Sequence, residues 1–572
     1  MFNTKKTQLF VPPAKTPKFK SVAEITSSPS AKTPLPIFVQ SAQKKSFEIL
    51  SGNGALKYSS TGNEGVNQFA KVGSYKKPRP FNEIEKDCEL LWAEDPLNSV
   101  KFIHYLRTIT RKVQLIDGSV TAEPQKGGEL KHEAIMRMIW LFTKSPDTFW
   151  KNIGWFIALG SWHDIFTMLQ YDLVYNGWES RVLDWNKMGN VILVGLADSH
   201  TSELVKKYLP QIKARSDCKT VESQANTTIG KWICSLLFGP KETSYNYKTY
   251  RKLKSGGTAH QWQQLISQKK FDQIDFGAIH GRALHLLVRS KFLKNQNLSD
   301  KFATWVKKPD TVVRYTGFVH ELFTNIPTAL SGMAAHVRDT VNKQFDTLVA
   351  KGKSETKEDS CTWLPVLDTS GSMGAQCTGT NASCLTVAKS LALYFSEFLT
   401  GKFMNSFVEF NTKAKMHTWQ GATPIEKWYN NRCSHVGSTN FQSVIDLYVD
   451  LKNQGIEEAE FPTGILAISD SEFNPTSLGK TNVEVARAKL RQAGFSDTFV
   501  DKFQIVLWNL QSGYYGASTG KKFETGATEK GTYYFGGFNG SVISFLTNHE
   551  VKTPAQLFLQ ALDQQVLNYI EL

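Results

Sequence analysis

The sequence predicts an α + α/β protein of 572 residues, in which a helical region precedes a mostly parallel sheet with helices on both faces. Between about residues 81 and 348, apolar residues recur at three- and four-residue steps, the period of amphipathic helices. From residue 361 onward, short apolar strands alternate with helices, as they do in parallel sheets. Residues 349–360 are highly charged and poor in apolar side chains, so they form the predicted linker between the two domains.

Residues 1–80 form a predicted basic arm. Six prolines interrupt a run rich in Ser, Thr and Lys, and eight lysines before residue 50 are opposed by two glutamates. Such a segment buries too little apolar surface to offset its ordering entropy, so we expect it to be extended or disordered. Contact with phosphates or with a partner surface is one expectation for the arm, and a solvated tail is the other.

The overall composition favours an intracellular protein with a polyanionic partner. Lys and Arg number 67 against 52 Asp and Glu, a formal charge of +15, which favours nucleic acid first. The seven cysteines are an odd number without a CxxC pair, which argues against a disulfide framework or structural zinc and predicts a reducing, cytoplasmic setting. No run of about 18 apolar residues occurs, so neither membrane insertion nor secretion is expected.

Helix signals are clearest between residues 129 and 173. Ile135, Met138 and Phe142 share one helical face, and Ser145 with Pro146 supplies a start signal for the next helix. Amphipathic helices continue without a fixed repeat period, which predicts a domain of paired helices. The His163-Asp164 pair is expected to pack or cap a helix rather than act as a general base, because no nucleophile lies near it in sequence.

Five apolar segments are the predicted strands of the C-terminal domain, and residues 383–399 and 483–492 are predicted helices between them. The strand segments are "TWLPVLD", "KFMNSFVEFN", "TGILAISD", "KFQIVLWNL" and "GTYYFGGF". Ligands of parallel sheets bind beyond the carboxyl ends of the strands. These ends are therefore the expected location of a functional site.

Oxygen-bearing side chains follow three of these segments. Asp368, Ser370 and Ser372 come directly after the first strand, Thr439 precedes a helix, and Asp470 ends a later strand. Carboxylate and hydroxyl oxygens are hard donors, which suit a small divalent cation: Mg²⁺ is expected first, with Mn²⁺ or Ca²⁺ as alternatives. The competing interpretation is that the aspartates are loop and cap residues.

This three-part pattern resembles the metal-ion-dependent adhesion site of a von Willebrand factor A domain, whose sheet is Rossmann-like, over about residues 360–572. The resemblance implies that Ser370 and Ser372 bind the metal directly. It also implies that Thr439, Asp368 and Asp470 bind it directly or through water. A mostly neutral set of ligands would leave the cation electrophilic enough to accept an acidic group from a partner.

Residues 95–111, 161–169 and 250–256 resemble the Ro-like family, which joins a HEAT-like helical TROVE module to a C-terminal von Willebrand factor A domain. The match is closest to an uncharacterised branch found in plants, fungi and viruses. The resemblance implies a ribonucleoprotein that binds single-stranded or misfolded RNA. Whether the helices close into a ring, as they do in Ro proteins, is not predicted.

Basic residues beside aromatics mark the candidate RNA-binding positions, because phosphates need cations and unpaired bases need flat faces. Core aromatics and solvated basic faces are the alternative interpretation. The candidates are Tyr247, Lys248, Tyr250, Arg251, Lys252, Lys254, His260 and Trp262, with a second cluster of Arg107, Arg111 and Lys112.

Three functions remain to be weighed. The first is a non-enzymatic RNA-binding protein whose metal domain binds an acidic group of a protein partner or braces the helices. The second is a structural or assembly protein, virion-associated if the chain is virus-encoded, which uses the metal site for protein–protein contact. A Mg²⁺-dependent hydrolase is disfavoured, since the site offers no general base beyond its own ligands.

Overall fold

The structure is a computed structural model. It describes residues 48–50, 56–58, 61–76, 78–115, 118–177, 179–240, 243–255, 261–279, 281–356, 361–377, 380–431, 433, 437–470, 481–511, 531–538, 546 and 552–572. Most of the predicted arm, residues 1–47, therefore lies outside the described residues. From Ile49 onward the chain forms one compact unit.

Helices dominate the chain up to residue 355, after two short strands, β1 (Glu48–Leu50) and β2 (Leu56–Tyr58). The helices are α1 (Glu64–Ala70), α2 (Phe81–Glu94), α3 (Pro96–Arg107), α4 (Lys131–Lys144), α5 (Pro146–Leu159), α6 (Trp162–Asn176), α7 (Trp185–Ala197), α8 (Ser202–Tyr208), α9 (Val221–Phe238), α10 (Ser244–Ser255), α11 (Gln261–Ser267), α12 (Gly281–Arg289), α13 (Phe292–Asn295), α14 (Ser299–Lys307) and α15 (Ala335–Glu355).

The predicted start signals lie at helix N-termini. Pro146 occupies the first turn of α5, where a missing N–H costs nothing. Ser161 and Asp164 form a capping box at the start of α6, in which the Asp164 carboxylate accepts a hydrogen bond from the Ser161 N–H at 2.8 Å. The expected capping role of Asp164 is thus confirmed.

The C-terminal region is a mixed six-stranded sheet with helices, so the α + α/β prediction is confirmed. Among the described residues the strand order is β5-β4-β3-β6-β7-β8, and the β4–β5 pair alone is antiparallel. The strands are β3 (Trp363–Asp368), β4 (Ser406–Phe410), β5 (Ala414–Thr418), β6 (Gly464–Ser469), β7 (Gln504–Asn509) and β8 (Thr532–Gly536). The helices are α16 (Cys384–Ser396), α17 (Pro424–Asn430), α18 (Gln442–Asn453), α19 (Asn482–Gln492), α20 (Asp497–Lys502) and α21 (Pro554–Leu562).

Alternation along the strands places a hydrophobic core on each face of the sheet. In β6, Leu466 and Ile468 belong to the core that includes α16, whereas Ile465 and Ala467 belong to the core that includes α18 and α19. Every residue of β3 and β6 is buried. Both faces of the sheet are thus covered by helices.

The helical region and the sheet share one of these cores. The Phe558 ring of α21 packs on Phe69 and Phe102, with ring centroids 5.8 and 5.9 Å away. Further along, the Glu571 N–H donates to Asn152 Oδ1 at 3.1 Å. Residues 349–355 of the predicted linker form the end of α15, and Gly352 lies against the Tyr394 hydroxyl of α16.

No helix in the described ranges has both the length and the apolar character that a bilayer crossing requires.

Candidate metal centre

Asp368 lies where the carboxyl ends of three parallel strands meet, because β3 runs between β4 and β6. The chain turns directly after this strand. The Ser370 N–H donates to Asp368 Oδ1 at 2.8 Å, and a short 3-10 turn follows at Gly371–Gly374. This turn places the Ser370 and Ser372 hydroxyl oxygens 3.1 Å apart. Three of the five predicted metal ligands are therefore adjacent.

The end of β6 completes this cluster. The Ser469 hydroxyl donates to Asp368 Oδ2 at 2.5 Å, and Asp470 follows it in a buried position. Burial, with a smaller contribution from the Asp470 charge, raises the pKa of the Asp368 carboxyl to about 6, although hydrogen bonds from Ser469 and Ser370 oppose the rise. Two carboxylates thus repel each other in a poorly solvated place, which a bound cation would relieve.

Thr439 is buried, and its loop is connected to the Asp368 turn through Asn411. The Asn440 N–H donates to the Asn411 carbonyl at 2.8 Å, and Asn411 Nδ2 donates to the Thr369 hydroxyl at 3.3 Å. Gly437 makes this approach feasible: its φ is +125°, and a Cβ there would lie 2.8 Å from the Thr412 hydroxyl. The loops after β3 and β4 and the loop before α18 are therefore joined.

The residues present fit a hard divalent cation. The five predicted ligands comprise two carboxylates and three hydroxyls, without sulfur or imidazole, which is the donor set of Mg²⁺ and Mn²⁺ rather than of zinc. Within the described ranges, no three His, Cys, Asp or Glu side chains form a metal-binding group. A site at Asp368 would therefore depend on its serine and threonine hydroxyls.

Ser469, Asn411 and Gln511 were not among the predicted site residues. Gln511 follows β7, and its Nε2 lies 3.5 Å from the Ser372 carbonyl. Ser469 could have been found from its position next to Asp470. The other two carried no local signal, because their contacts depend on which strands are neighbours.

The first group of RNA candidates divides into exposed and structural residues. Lys248, Arg251 and Lys252 are exposed on α10. The Tyr250 ring is fully buried, and its hydroxyl donates to the Pro210 carbonyl at 2.9 Å. Lys254 Nζ donates to the Leu209 carbonyl at 2.6 Å.

The aromatic side chains of this group that the structure describes pack against the hydrophobic cores of the fold. Tyr247 is partly buried, with Lys231 Nζ 5.8 Å from its ring centroid. Trp262 packs partly buried against the core around α12 and α14. His260 lies outside the described residues.

The second group is largely engaged within the fold. Arg107 is buried and donates to Asp164 with 2.7 Å between Nε and Oδ2. Arg111 is exposed, but its guanidinium donates to the carbonyls of Ala158 and Gly160 at the end of α5. Lys112 is exposed as well. Lys112 is therefore the member of this group that best fits a simple phosphate contact.

Comparison with known proteins finds one family model. Residues 362–567, which span the sheet from β3 through α21, match a domain of unknown function, DUF7788. No curated protein matches the chain.

Proposed function

We propose that the chain is a non-enzymatic binding protein that holds a divalent cation at the edge of its sheet and uses it to bind an acidic group of a protein partner. The observation that carries the proposal is the oriented Asp368 carboxylate, which accepts hydrogen bonds from Ser469 and Ser370 beside the paired Ser370 and Ser372 hydroxyls. The residues that would hold the ion are Asp368, Ser370, Ser372, Thr439 and Asp470.

The chemistry of this arrangement favours recognition. If Asp368 and Asp470 bind through water, the three neutral hydroxyl ligands leave most of the charge of Mg²⁺ unneutralised, so the ion keeps affinity for a further carboxylate. The resemblance to the metal-ion-dependent adhesion site of von Willebrand factor A domains supports the same role. We propose binding rather than catalysis because Asp368 and Asp470 would themselves hold the ion, and neither would remain as a general base.

A pull-down in the native source tests this function. Wild-type protein should retain a partner in Mg²⁺ and release it in a chelator, and Asp368→Ala should retain none. Asp501→Ala is the matched control, since the Asp501 side chain is 71% exposed on α20. Retention that is equal with and without the chelator, and equal in all three proteins, would rule the proposal out. Stoichiometric recovery in purified particles would favour the assembly or virion-associated form of the same function.

RNA binding by the helical region is the second candidate function, and one surface favours it. Tyr245 is 74% exposed, and Lys248 and Lys252 follow it at three- and seven-residue spacing, on the same face of α10. An exposed ring beside cations suits an unpaired base and its phosphates. The Ro-like resemblance and the +15 charge agree with a cytoplasmic RNA-binding role.

Filter binding of single-stranded RNA across a salt series tests this second function. The affinity should fall steeply as salt rises, and Lys248→Glu with Lys252→Glu should weaken binding and flatten the salt dependence. Lys307→Glu, an exposed change at the end of α14, is the control and should have a smaller effect. Absence of binding at low salt would exclude the RNA role while leaving the cation proposal intact.

A further inference from the structure

His163 lies exposed at the start of α6, where side chains from two other helices position its ring. Lys131, the first residue of α4, places its Nζ in contact with His163 Nδ1. The ring of Tyr208, the last residue of α8, packs beside the imidazole, with ring centroids 5.2 Å apart. A cation and an aromatic ring thus hold an imidazole that remains open to solvent.

The contact with Lys131 determines which nitrogen of the imidazole carries a proton. Burial, with a smaller contribution from the charge of Arg107, lowers the pKa of Lys131 to about 8, although the charge of Asp164 opposes the fall. Lys131 is therefore still protonated at pH 7, and because an ammonium can only donate, His163 Nδ1 accepts. Burial lowers the pKa of His163 too, so its ring is neutral and carries its proton on Nε2. Among the described residues, Nε2 makes no hydrogen bond, so His163 offers an N–H donor to a ligand.

The carboxylate nearest to this pair is already engaged. Asp164 Oδ1 lies 4.0 Å from Lys131 Nζ. The other oxygen, Oδ2, accepts from Arg107 Nε at 2.7 Å and from the Ser161 N–H at 2.8 Å. The charge of Asp164 is thus shared between two cations and a helix cap, and Lys131 keeps a large part of its positive charge uncompensated.

Two further cations lie at this place. The Arg111 guanidinium donates to the Gly160 carbonyl at 2.7 Å, directly before the N-cap of α6. Lys254 Nζ donates to the Leu209 carbonyl at 2.6 Å, at the end of α8. Carbonyl oxygens stabilise both charges without neutralising them. In the part of the chain that the structure describes, Asp164 is the one carboxylate that forms an ion pair with any of these four cations.

We propose that Lys131 and His163 form a binding site for a phosphate group, with Lys131 Nζ and the His163 Nε2–H as its donors. A phosphate offers three strong acceptor oxygens and about two negative charges, so one group can accept from both donors. The excess of cations favours this group over a singly charged carboxylate, because the ion would offset their mutual repulsion. The site uses no residue of the candidate metal centre, so it does not depend on the proposed cation.

Amine labelling of the wild-type protein tests the site with inorganic phosphate as the probe. Acetylation of Lys131 by an N-hydroxysuccinimide ester, measured by peptide mass mapping, should fall as the phosphate concentration rises. Chloride at the same ionic strength should give no such protection. Lys144 is the matched control, since its side chain is 35% exposed against 32% for Lys131, but it pairs with Glu89 at 2.6 Å. Equal protection of Lys131 in phosphate and in chloride would overturn the proposal.

Calorimetric titration with inorganic phosphate tests the two donors separately. Lys131→Gln and His163→Ala should each weaken phosphate affinity about tenfold, because each removes a hydrogen bond to a charged group. His163→Gln keeps an N–H donor and should recover part of the loss. Lys144→Gln should bind phosphate as the wild type does. Wild-type affinity in both Lys131→Gln and His163→Ala would overturn the proposal.

The same labelling experiment distinguishes the sources of the phosphate group. Protection of Lys131 by single-stranded RNA would assign the site to nucleic acid, in agreement with the second candidate function. Protection by inorganic phosphate and a nucleoside monophosphate, but not by RNA, would assign it to a small molecule, and the site would stand although the RNA function failed. Protection by none of the three would overturn the proposal.

Discussion

The Ser469 hydroxyl lies 2.5 Å from Asp368 Oδ2, so a side-chain hydrogen bond joins the carboxyl ends of β6 and β3. The other carboxylate oxygen, Oδ1, accepts the Ser370 N–H at 2.8 Å. Both oxygens of Asp368 thus have a donor in a buried place, which fixes the orientation of the carboxylate. The carboxyl ends of β3 and β6 therefore hold the Asp368 carboxylate in one orientation.

Ser469→Ala should weaken cation binding about tenfold, because it removes a neighbour that orients a predicted ligand. Calorimetric titration with Mn²⁺ measures the effect. Ser390→Ala is the matched control: its hydroxyl is also buried and donates to the Val387 carbonyl at 2.8 Å, but within α16. Equal losses of affinity in both variants would mean that only general stability was changed.

Phe558→Ala should destabilise the protein by about 3–5 kcal/mol, the usual cost of deleting a buried phenyl ring. The ring is 4% exposed and contacts Phe69 and Phe102 of the helical region. Leu559→Ala, one residue further and 52% exposed, should change stability by no more than about 0.5 kcal/mol. Urea unfolding measures both changes, and equal midpoints for the two variants would contradict the packing described.

Local sequence was sufficient for parts of the fold and of the site. The Asp368 turn could be predicted because its residues are neighbours in sequence and follow a buried strand. Strand β5 was not predicted, since it lies at the edge of the described sheet, beside β4, and its exposed Lys415 and Thr418 weaken the alternating pattern. The link from Asn411 to the Thr439 loop depends on strand order, which local patterns do not encode.

The features that the sequence did not predict depend on contacts between residues that lie far apart in the chain. The sequence offered Arg107 as a basic residue for RNA, but its partner Asp164 lies 57 residues away. The packing of Phe558 on α1 and α3 could not be predicted either, because α21 lies near the C-terminus and these two helices lie in the first fifth of the chain. Charge and aromatic content thus identified candidate residues, whereas burial separated structural ones from exposed ones.

Arg107→Ala should cost about 3–5 kcal/mol, because the buried Asp164 carboxylate would lose its nearer ion-pair partner and keep only Lys131, at 4.0 Å, among the described residues. Lys112→Ala, an exposed change nearby, should leave the unfolding free energy within about 0.5 kcal/mol. Denaturant titration measures both. A stable Arg107→Ala protein with reduced RNA affinity would instead assign Arg107 to the RNA surface.

Stability should fall on acidification because His285 is buried. Burial, with a smaller contribution from the charge of Arg289, lowers the pKa of His285 from 6.5 to about 4. The unfolded chain therefore binds a proton that the folded protein does not, between pH 6.5 and about 4. Stability is lost progressively as the pH falls through this window, by up to about 3 kcal/mol.

His285→Asn tests this linkage. Asparagine keeps a donor for Gln344 Oε1, which the His285 ring contacts at 2.9 Å, but it does not titrate. Urea unfolding at pH 7 and pH 5 should show a smaller pH dependence in the variant than in the wild type. His200→Asn, on an exposed residue, should keep the wild-type dependence. An unchanged dependence in His285→Asn would contradict the assignment.

The most direct measurement for the central claim is calorimetric titration of Mn²⁺ into wild-type protein and Asp368→Asn. Asparagine preserves the shape of the side chain but removes the charge of the ligand. We predict saturable binding of a single ion to the wild type, at least about tenfold weaker binding to Asp368→Asn, and wild-type binding to Asp501→Asn. Binding to Asp368→Asn that equals the wild type would contradict the cation site.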